Sequence, residues 1–134
     1  FDSEDQGNLE GWDWIYGSRA FVEQLSGQPD AMVLVDMIGD ADLNIYQEQN
    51  SDPRRTQQIW QTAAELGFQN QFIQKTKFRM LDDHIPFIQK GIPAVDLIDF
   101  DYPYWHTSED TADKVSANSL EIVGKTLLAW LMAP

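Results

Sequence analysis

The sequence predicts an α/β protein with a partial mixed, largely parallel sheet flanked by helices. Two runs rich in Val, Leu and Ile, residues 32–38 (MVLVDMI) and 93–98 (PAVDLI), have the length and composition of strands buried on both faces. Segments with helical spacing lie before, between and after them. Alternating strands and helices favour a parallel sheet. Ligands bind beyond the carboxyl ends of such strands, so the loops after Ile38 and Ile98 are expected to carry a site.

Four helices are predicted from the spacing of apolar residues and from end signals. The second has a capping residue, Asp52, before Pro53, and Gly67 is its natural stop. In the third, Asp82 or Asp83 is expected to cap the start. The predicted helices span 12–25, 53–66, 83–90 and 116–132, and a further short strand is expected over 71–75.

Length and composition exclude several classes of protein. The chain has 134 residues, the size of one domain, and residues 1–134 are read as a single domain. Nine basic and 22 acidic residues give a net charge of −13, which argues against nucleic acid and an anionic membrane surface as partners. The absence of cysteine excludes disulfides, thiolate zinc sites and cysteine nucleophiles. No apolar run reaches the ~18 residues of a membrane span.

The two histidines of the chain, His84 and His106, are the first candidates for chemistry. His106 follows the second predicted strand in YPYWHTSEDT, where an imidazole serves as a metal ligand, a general base or a surface residue. His84 is interpreted as part of the helix start in LDDHIPF, together with Pro86.

Carboxylates in unusual settings are the second group of candidates. Asp36 interrupts an apolar run, and a buried carboxylate must be paired, protonated or metal-bound. The alternative is that the strand ends at Val35 and Asp36 is solvated. Glu4 and Asp5 are either a solvated pair or a pair in which one binds metal and the other moves protons. Together with His106 these residues admit a zinc site of oxygen and nitrogen ligands, which needs three protein ligands.

Five blocks in order along the chain resemble the M28 family of zinc exopeptidases, and within it the glutaminyl-peptide cyclotransferase branch. The blocks are FDSEDQG, IYGSR, LVDMIGD, LDDHIPFIQKGIP and YWHTSEDT. The resemblance implies that the chain corresponds to the C-terminal part of such a catalytic domain, without the N-terminal strands of its sheet.

The resemblance also implies roles for particular residues. Glu4 matches the general acid/base carboxylate, and Asp5 and His106 match two zinc ligands. Asp36 matches the strand-end aspartate, which binds the second metal in two-zinc aminopeptidases and joins a proton-handling network in cyclotransferases. Asp82 matches the third acidic member of that network.

The aromatic residues are expected to form the substrate pocket. Trp105 matches the aromatic wall of the family's pocket, and Tyr102 and Tyr104 are candidates for the same wall. Trp12 or Trp14 is a candidate for another wall. The plain alternative is that these rings pack their own loop.

Two classes of function follow from the resemblance. The first is a zinc-dependent exopeptidase of the aminopeptidase type, or a glutaminyl-peptide cyclotransferase, acting on the N-terminus of a peptide. The family's upstream zinc-ligand aspartate has no match in this chain, so the chain alone is expected to hold an incomplete site. The second class is therefore a catalytically dead module that assembles, for example as a homodimer, through an exposed sheet edge. An exported, extracytoplasmic location is suggested by the resemblance only.

Overall fold

The computed structural model describes residues 1, 10–11 and 13–133 and has the α/β architecture that the sequence predicts. Helices and strands alternate along most of the chain. In chain order they are α1 (Tyr16–Gln24), β1 (Met32–Asp36), β2 (Ile45–Gln47), α2 (Pro53–Glu65), β3 (Phe72–Thr76), α3 (Ile85–Gln89), β4 (Ala94–Ile98), a 3-10 helix (Ala112–Lys114) and α4 (Ala117–Met132).

The strands form two parallel pairs. β1 pairs with β4 without interruption, so that Asp36 at the end of β1 lies opposite Ile98 at the end of β4. β2 pairs with β3, with an irregularity after Tyr46, and β2 also contacts β4. Because β1 and β4 run in the same direction, their carboxyl ends lie side by side and bring the two following loops together.

The core lies between the strands and the pair α2 and α4. Trp60 on α2 meets Phe72 on β3 edge to face, with ring centroids 5.3 Å apart. The Trp60 indole N–H donates to the carbonyl of Ile73 at 3.0 Å, so its polar atom is satisfied. The buried members of this cluster are Leu43, Ile45, Ile59, Trp60, Ala63, Phe72, Val95, Leu97, Ile122 and Val123.

Most helix ends follow from local chemistry. The Asp52 carboxylate accepts from the N–H of Arg55 at 2.8 Å, which caps α2, and Gly67 beyond its end has φ +86°. Ser116 caps α4. The predicted start of α1 at residue 12 was wrong: Ile15 has a left-handed backbone with φ 55°, so the helix begins after it.

Three further expectations need correction. α3 begins at Ile85, after His84, and no carboxylate caps it. β1 is only half-buried, with Val35 45% exposed, because within the described residues β1 pairs with β4 alone. β2 was missed, since a three-residue strand between polar residues has no periodicity to detect.

No helix in the described part of the chain has the length and apolarity needed to cross a bilayer.

Candidate functional site

A cavity of about 480 Å³ lies at the carboxyl ends of β1 and β4. Seven of its eleven described lining residues are apolar or aromatic, three are aspartates and one is a histidine. The lining residues are Trp14, Asp36, Met37, Met80, Leu81, Asp82, Ile98, Phe100, Trp105, His106 and Asp110. A larger groove of about 800 Å³ lies between α2 and α4 beside β1, but the titratable candidates line the smaller cavity. The smaller cavity is therefore the candidate site.

Asp82 reaches the cavity from the loop before α3 and is 6% exposed. Its carboxylate accepts from the N–H of Asp83 at 2.6 Å. Burial, with a contribution from the negative charge of Asp36, raises the pKa of Asp82 to about 6, against the lowering effect of that hydrogen bond. A carboxyl with this pKa exchanges protons close to neutral pH.

Asp36 is the last residue of β1 and is half-buried, so the alternative that the strand ends at Val35 is wrong. The negative charge of Asp36 contributes to the raised pKa of Asp82, and both residues line the cavity. Met37, which follows it in the lining, has a left-handed backbone with φ 50°. Such strain in a residue without glycine's freedom costs roughly 1–3 kcal/mol and is concentrated at functional sites.

Trp105 and His106 are neighbouring residues of the cavity lining. Their rings are stacked, with centroids 4.2 Å apart and planes 25° apart, and Trp105 also contacts Phe100 at 5.1 Å. His106 itself has φ 56°, the second left-handed residue in the lining. The structure thus places Asp36, Asp82, Trp105 and His106 around one cavity.

Tyr102 and Tyr104 are not among the described lining residues. The Tyr102 hydroxyl donates to the Asp110 carboxylate at 2.6 Å, and this hydrogen bond raises the pKa of Tyr102 to about 12. The two tyrosine rings contact each other with centroids 5.5 Å apart. Their described contacts are those of residues that hold the 99–111 loop, and a direct role in substrate binding stays a prediction.

The predicted metal ligands are only partly described. Glu4, Asp5 and Trp12 lie outside the described residues, whereas Trp14 lines the cavity. Within the part of the chain that the structure describes, no three His, Asp or Glu side chains are grouped closely enough to bind a metal ion. The cavity lining nevertheless contains an imidazole and carboxylates, which are donor types that zinc takes. His106 is the described residue that fits this ligand set best.

Sequence reasoning missed a buried cluster behind the cavity. Glu48, His84 and Asp96 are 4%, 0% and 0% exposed. His84 Nε2 lies 3.3 Å from Glu48 Oε2, and Nδ1 lies 3.7 Å from Asp96 Oδ2. Asp96 had the same signal as Asp36, a carboxylate within an apolar run. Glu48 lies in the polar stretch YQEQN and had no signal.

The family follows from comparison of the chain with known proteins. The model of peptidase family M28 matches residues 1–131. The chain belongs to peptidase family M28. Among curated relatives, it is 25% identical to the glutaminyl-peptide cyclotransferase of Boiga irregularis, over 90% of this chain and 40% of that one.

Solved structures agree with this assignment. The glutaminyl cyclase of Porphyromonas gingivalis has a TM-score of 0.89 and 33% identity, over 98% of this chain and 53% of that one. A Zn-dependent exopeptidase from Parabacteroides distasonis has a TM-score of 0.88 and 26% identity, over 96% and 51%. The chain thus spans about half the length of these relatives, and the predicted resemblance to this family and fold is confirmed.

Proposed function

We propose that the site serves glutaminyl-peptide cyclisation. In this reaction the α-amine of an N-terminal glutamine attacks the carbon of its own side-chain amide, and ammonia leaves. The supporting observation is that Asp36 and Asp82 line the same cavity as the aromatic side chains of Phe100 and Trp105. Cyclisation needs a proton to move from the attacking amine to departing ammonia and needs no water. A buried carboxyl with a pKa of about 6 suits that transfer.

The surroundings of Asp82 suit this residue to hold and release a proton. It is more buried than Asp36, and burial together with the negative charge of Asp36 raises the pKa of Asp82 to about 6. Their proximity lets a proton be shared across the cavity while the amine nitrogen loses one and the amide nitrogen gains one. Glu4, the carboxylate to which the family resemblance assigns the direct transfer, lies outside the described residues.

The aromatic residues supply apolar surface against which a bound peptide can be oriented. The Trp105 ring stacks on the His106 ring and also contacts the Phe100 ring. These rings present flat surfaces in the cavity that Asp36 and Asp82 also line. A water-poor pocket favours attack by the internal amine over attack by water and strengthens every electrostatic contact inside it.

Zinc is the metal that the family implies. His106 would hold it in this chain, with Asp5 as the second ligand in the prediction. The chemistry that bound zinc supplies is Lewis-acid polarisation of a carbonyl oxygen.

The test compares two substrates of matched length on the zinc-loaded chain. A peptide that begins with glutamine reports cyclisation through ammonia release and loss of its free amine. A peptide that begins with leucine reports exopeptidase activity through free leucine. Ammonia without leucine would support the proposal, and leucine release would favour the exopeptidase alternative. Formation of neither product at saturating substrate would refute a catalytic role for this chain.

A second candidate function is assembly through the face that β1 and α4 expose. Val35 on β1 is 45% exposed, and Leu128, Leu131 and Met132 on α4 are 62%, 69% and 76% exposed. Exposed strand edges and apolar patches are sites of protein association. We propose a second copy of the chain as occupant, since strand pairing across a two-fold axis is self-complementary. Light scattering that shows a monomer at all accessible concentrations would refute it, and a dimer abolished by Val35→Lys would support it.

A further inference from the structure

The buried cluster behind the cavity is centred on Glu48, in the loop after β2. Both of its oxygens are in use. Oε1 accepts from the N–H of Met80 at 2.9 Å. Oε2 accepts from the N–H groups of Asn50 and Ser51 at 2.8 Å each and from the Ser51 hydroxyl at 3.0 Å. The same Oε2 faces His84 Nε2 at 3.3 Å.

These contacts hold one short segment of chain at both ends. Met80 and His84 bound residues 80–84, and Glu48 contacts both of them. The first three residues of the segment, Met80, Leu81 and Asp82, line the cavity, and Asp82 supplies a carboxyl group to it. The Asn50 side-chain amide adds a bond to the carbonyl of Met80 at 2.9 Å. The Glu48 carboxylate thus contacts the segment on both sides of Asp82.

Asp82 has few anchors of its own. Its carboxylate accepts from the N–H of Asp83, and its main-chain carbonyl accepts from the N–H of Ile85 at 2.9 Å. Both partners belong to the same stretch of chain, so they fix its shape but not its position relative to the sheet. Met80 and His84 link the segment to Glu48, and Asp83 Oδ2 lies 3.7 Å from the amino group of Phe1.

Asp96 on β4 completes the cluster from the side of the sheet. Its N–H donates to the Ser51 hydroxyl at 3.0 Å, and its carboxyl faces His84 Nδ1. Burial, with the charges of Asp82 and Glu48, raises the pKa of Asp96 to about 9, so this carboxyl is protonated at neutral pH. Burial also acts to raise the pKa of Glu48, but His84 and the surrounding N–H groups outweigh it and lower that pKa to about 2.

His84 fills the space between these two carboxyl groups. Its Nε2 faces Glu48 Oε2 at 3.3 Å and its Nδ1 faces Asp96 Oδ2 at 3.7 Å, but neither contact has the geometry of a hydrogen bond. The lowered pKa of Glu48 means that its ionised form is stabilised in the folded protein, because the surrounding N–H groups and His84 outweigh the cost of burial. Since this carboxylate contacts Met80 and His84, part of that stabilisation falls on the segment that carries Asp82.

We infer that Glu48 and His84 are positioning residues that hold residues 80–84 against the sheet and so keep the Asp82 carboxyl buried at the cavity. The kinetic part of this inference rests on the proposed cyclisation, whereas the spectroscopic part does not.

The principal test is Glu48→Gln, with the exposed Glu121→Gln on α4 as the matched control. An amide nitrogen cannot accept, so the substitution loses either the Met80 bond or the bonds from Asn50 and Ser51. Carboxyl-carbon NMR of the folded protein then follows the titration of Asp82. The charges of Asp36, Asp83 and His84 also act on this carboxyl group. We expect the pKa of Asp82 to fall from about 6 toward its ordinary value of 3.8, because its carboxyl group becomes more exposed to solvent. An unchanged Asp82 titration in folded Glu48→Gln would overturn the inference.

One further variant keeps the inference testable if Glu48→Gln does not fold. Ser51→Ala removes only one donor to Glu48 and one acceptor for Asp96, and we expect a smaller fall of the same Asp82 pKa. An Asp82 pKa that stays the same in Ser51→Ala would overturn the inference.

Kinetics separates the inference from the proposed function. If the chain cyclises glutaminyl peptides, we expect kcat to fall about ten- to hundredfold in Glu48→Gln with KM little changed, since a misplaced catalytic group costs turnover. A change in KM alone would overturn the positioning role. If the chain proves inactive, the proposed function fails, and the Asp82 titration still decides the inference.

Discussion

Replacing Asp82 by Asn should make the folded protein more stable at neutral pH. The Asp82 carboxyl is 6% exposed, with a pKa of about 6 in the folded state against 3.8 ordinarily. The folded state therefore binds more protons than the unfolded state between these two values. Stability must then fall as the pH rises from about 4 to about 6, and the full loss persists above that window.

The size of the effect follows from the shift. About two pKa units at ~1.4 kcal/mol each give at most about 3 kcal/mol of destabilisation at neutral pH. Asn has the shape of Asp, and its side-chain oxygen can still accept from the N–H of Asp83. Asp82→Asn therefore removes the charge penalty and leaves the local hydrogen bond in place.

Urea unfolding of both proteins at pH 4 and pH 7.5 measures this. We expect the two free energies of unfolding to be close at pH 4, with Asp82→Asn ahead by up to about 3 kcal/mol at pH 7.5. The control is Asp113→Asn at an exposed site, where the hydrogen bond from Lys114 lowers the pKa of Asp113 to about 2 and predicts the opposite sign. A difference between Asp82→Asn and the unaltered protein that does not change with pH would refute the reasoning.

The remaining predictions concern the cap, the core and the cavity. Asp52→Ala removes the α2 cap and should lower the free energy of unfolding by about 1 kcal/mol, whereas no change would show that the Arg55 N–H finds another acceptor. Ile59→Ala, at a fully buried site, should cost about 2–5 kcal/mol in the same assay. His106→Ala should lower the zinc retained after desalting, measured by elemental analysis, and equal zinc content would remove His106 from the ligand set. Trp105→Ala, at a residue 46% exposed, should weaken binding of glutaminyl peptides in calorimetry while leaving stability nearly unchanged.

Local signals in the sequence were sufficient for much of the fold. The Asp52–Pro53 start and the Gly67 end of α2 were predicted, because capping and left-handed backbone depend on neighbouring residues alone. The apolar runs became β1 and β4 for a similar reason. The location of the cavity beyond these strands also followed, since parallel strands must end on the same side.

Other features depended on distant parts of the chain. The sequence could not show that β1 is half-exposed, since exposure depends on which strands pair with it. It could not identify β2, whose three residues are a strand because they pair with β3. The start of α1 was misplaced because the backbone of Ile15 is left-handed.

The candidate site divides along the same line. The sequence by itself determined which residue types are available: Asp36 within an apolar run, and Trp105 beside His106 after the second strand. Only the tertiary structure decided that Asp82 is buried and lies close enough to Asp36 for its charge to act on it. It also decided that Glu48 is the buried partner of His84, which follows 36 positions later in the chain. The physical reason is that a pKa or an ion pair depends on burial and on distances of a few ångströms, which spacing along the chain does not encode.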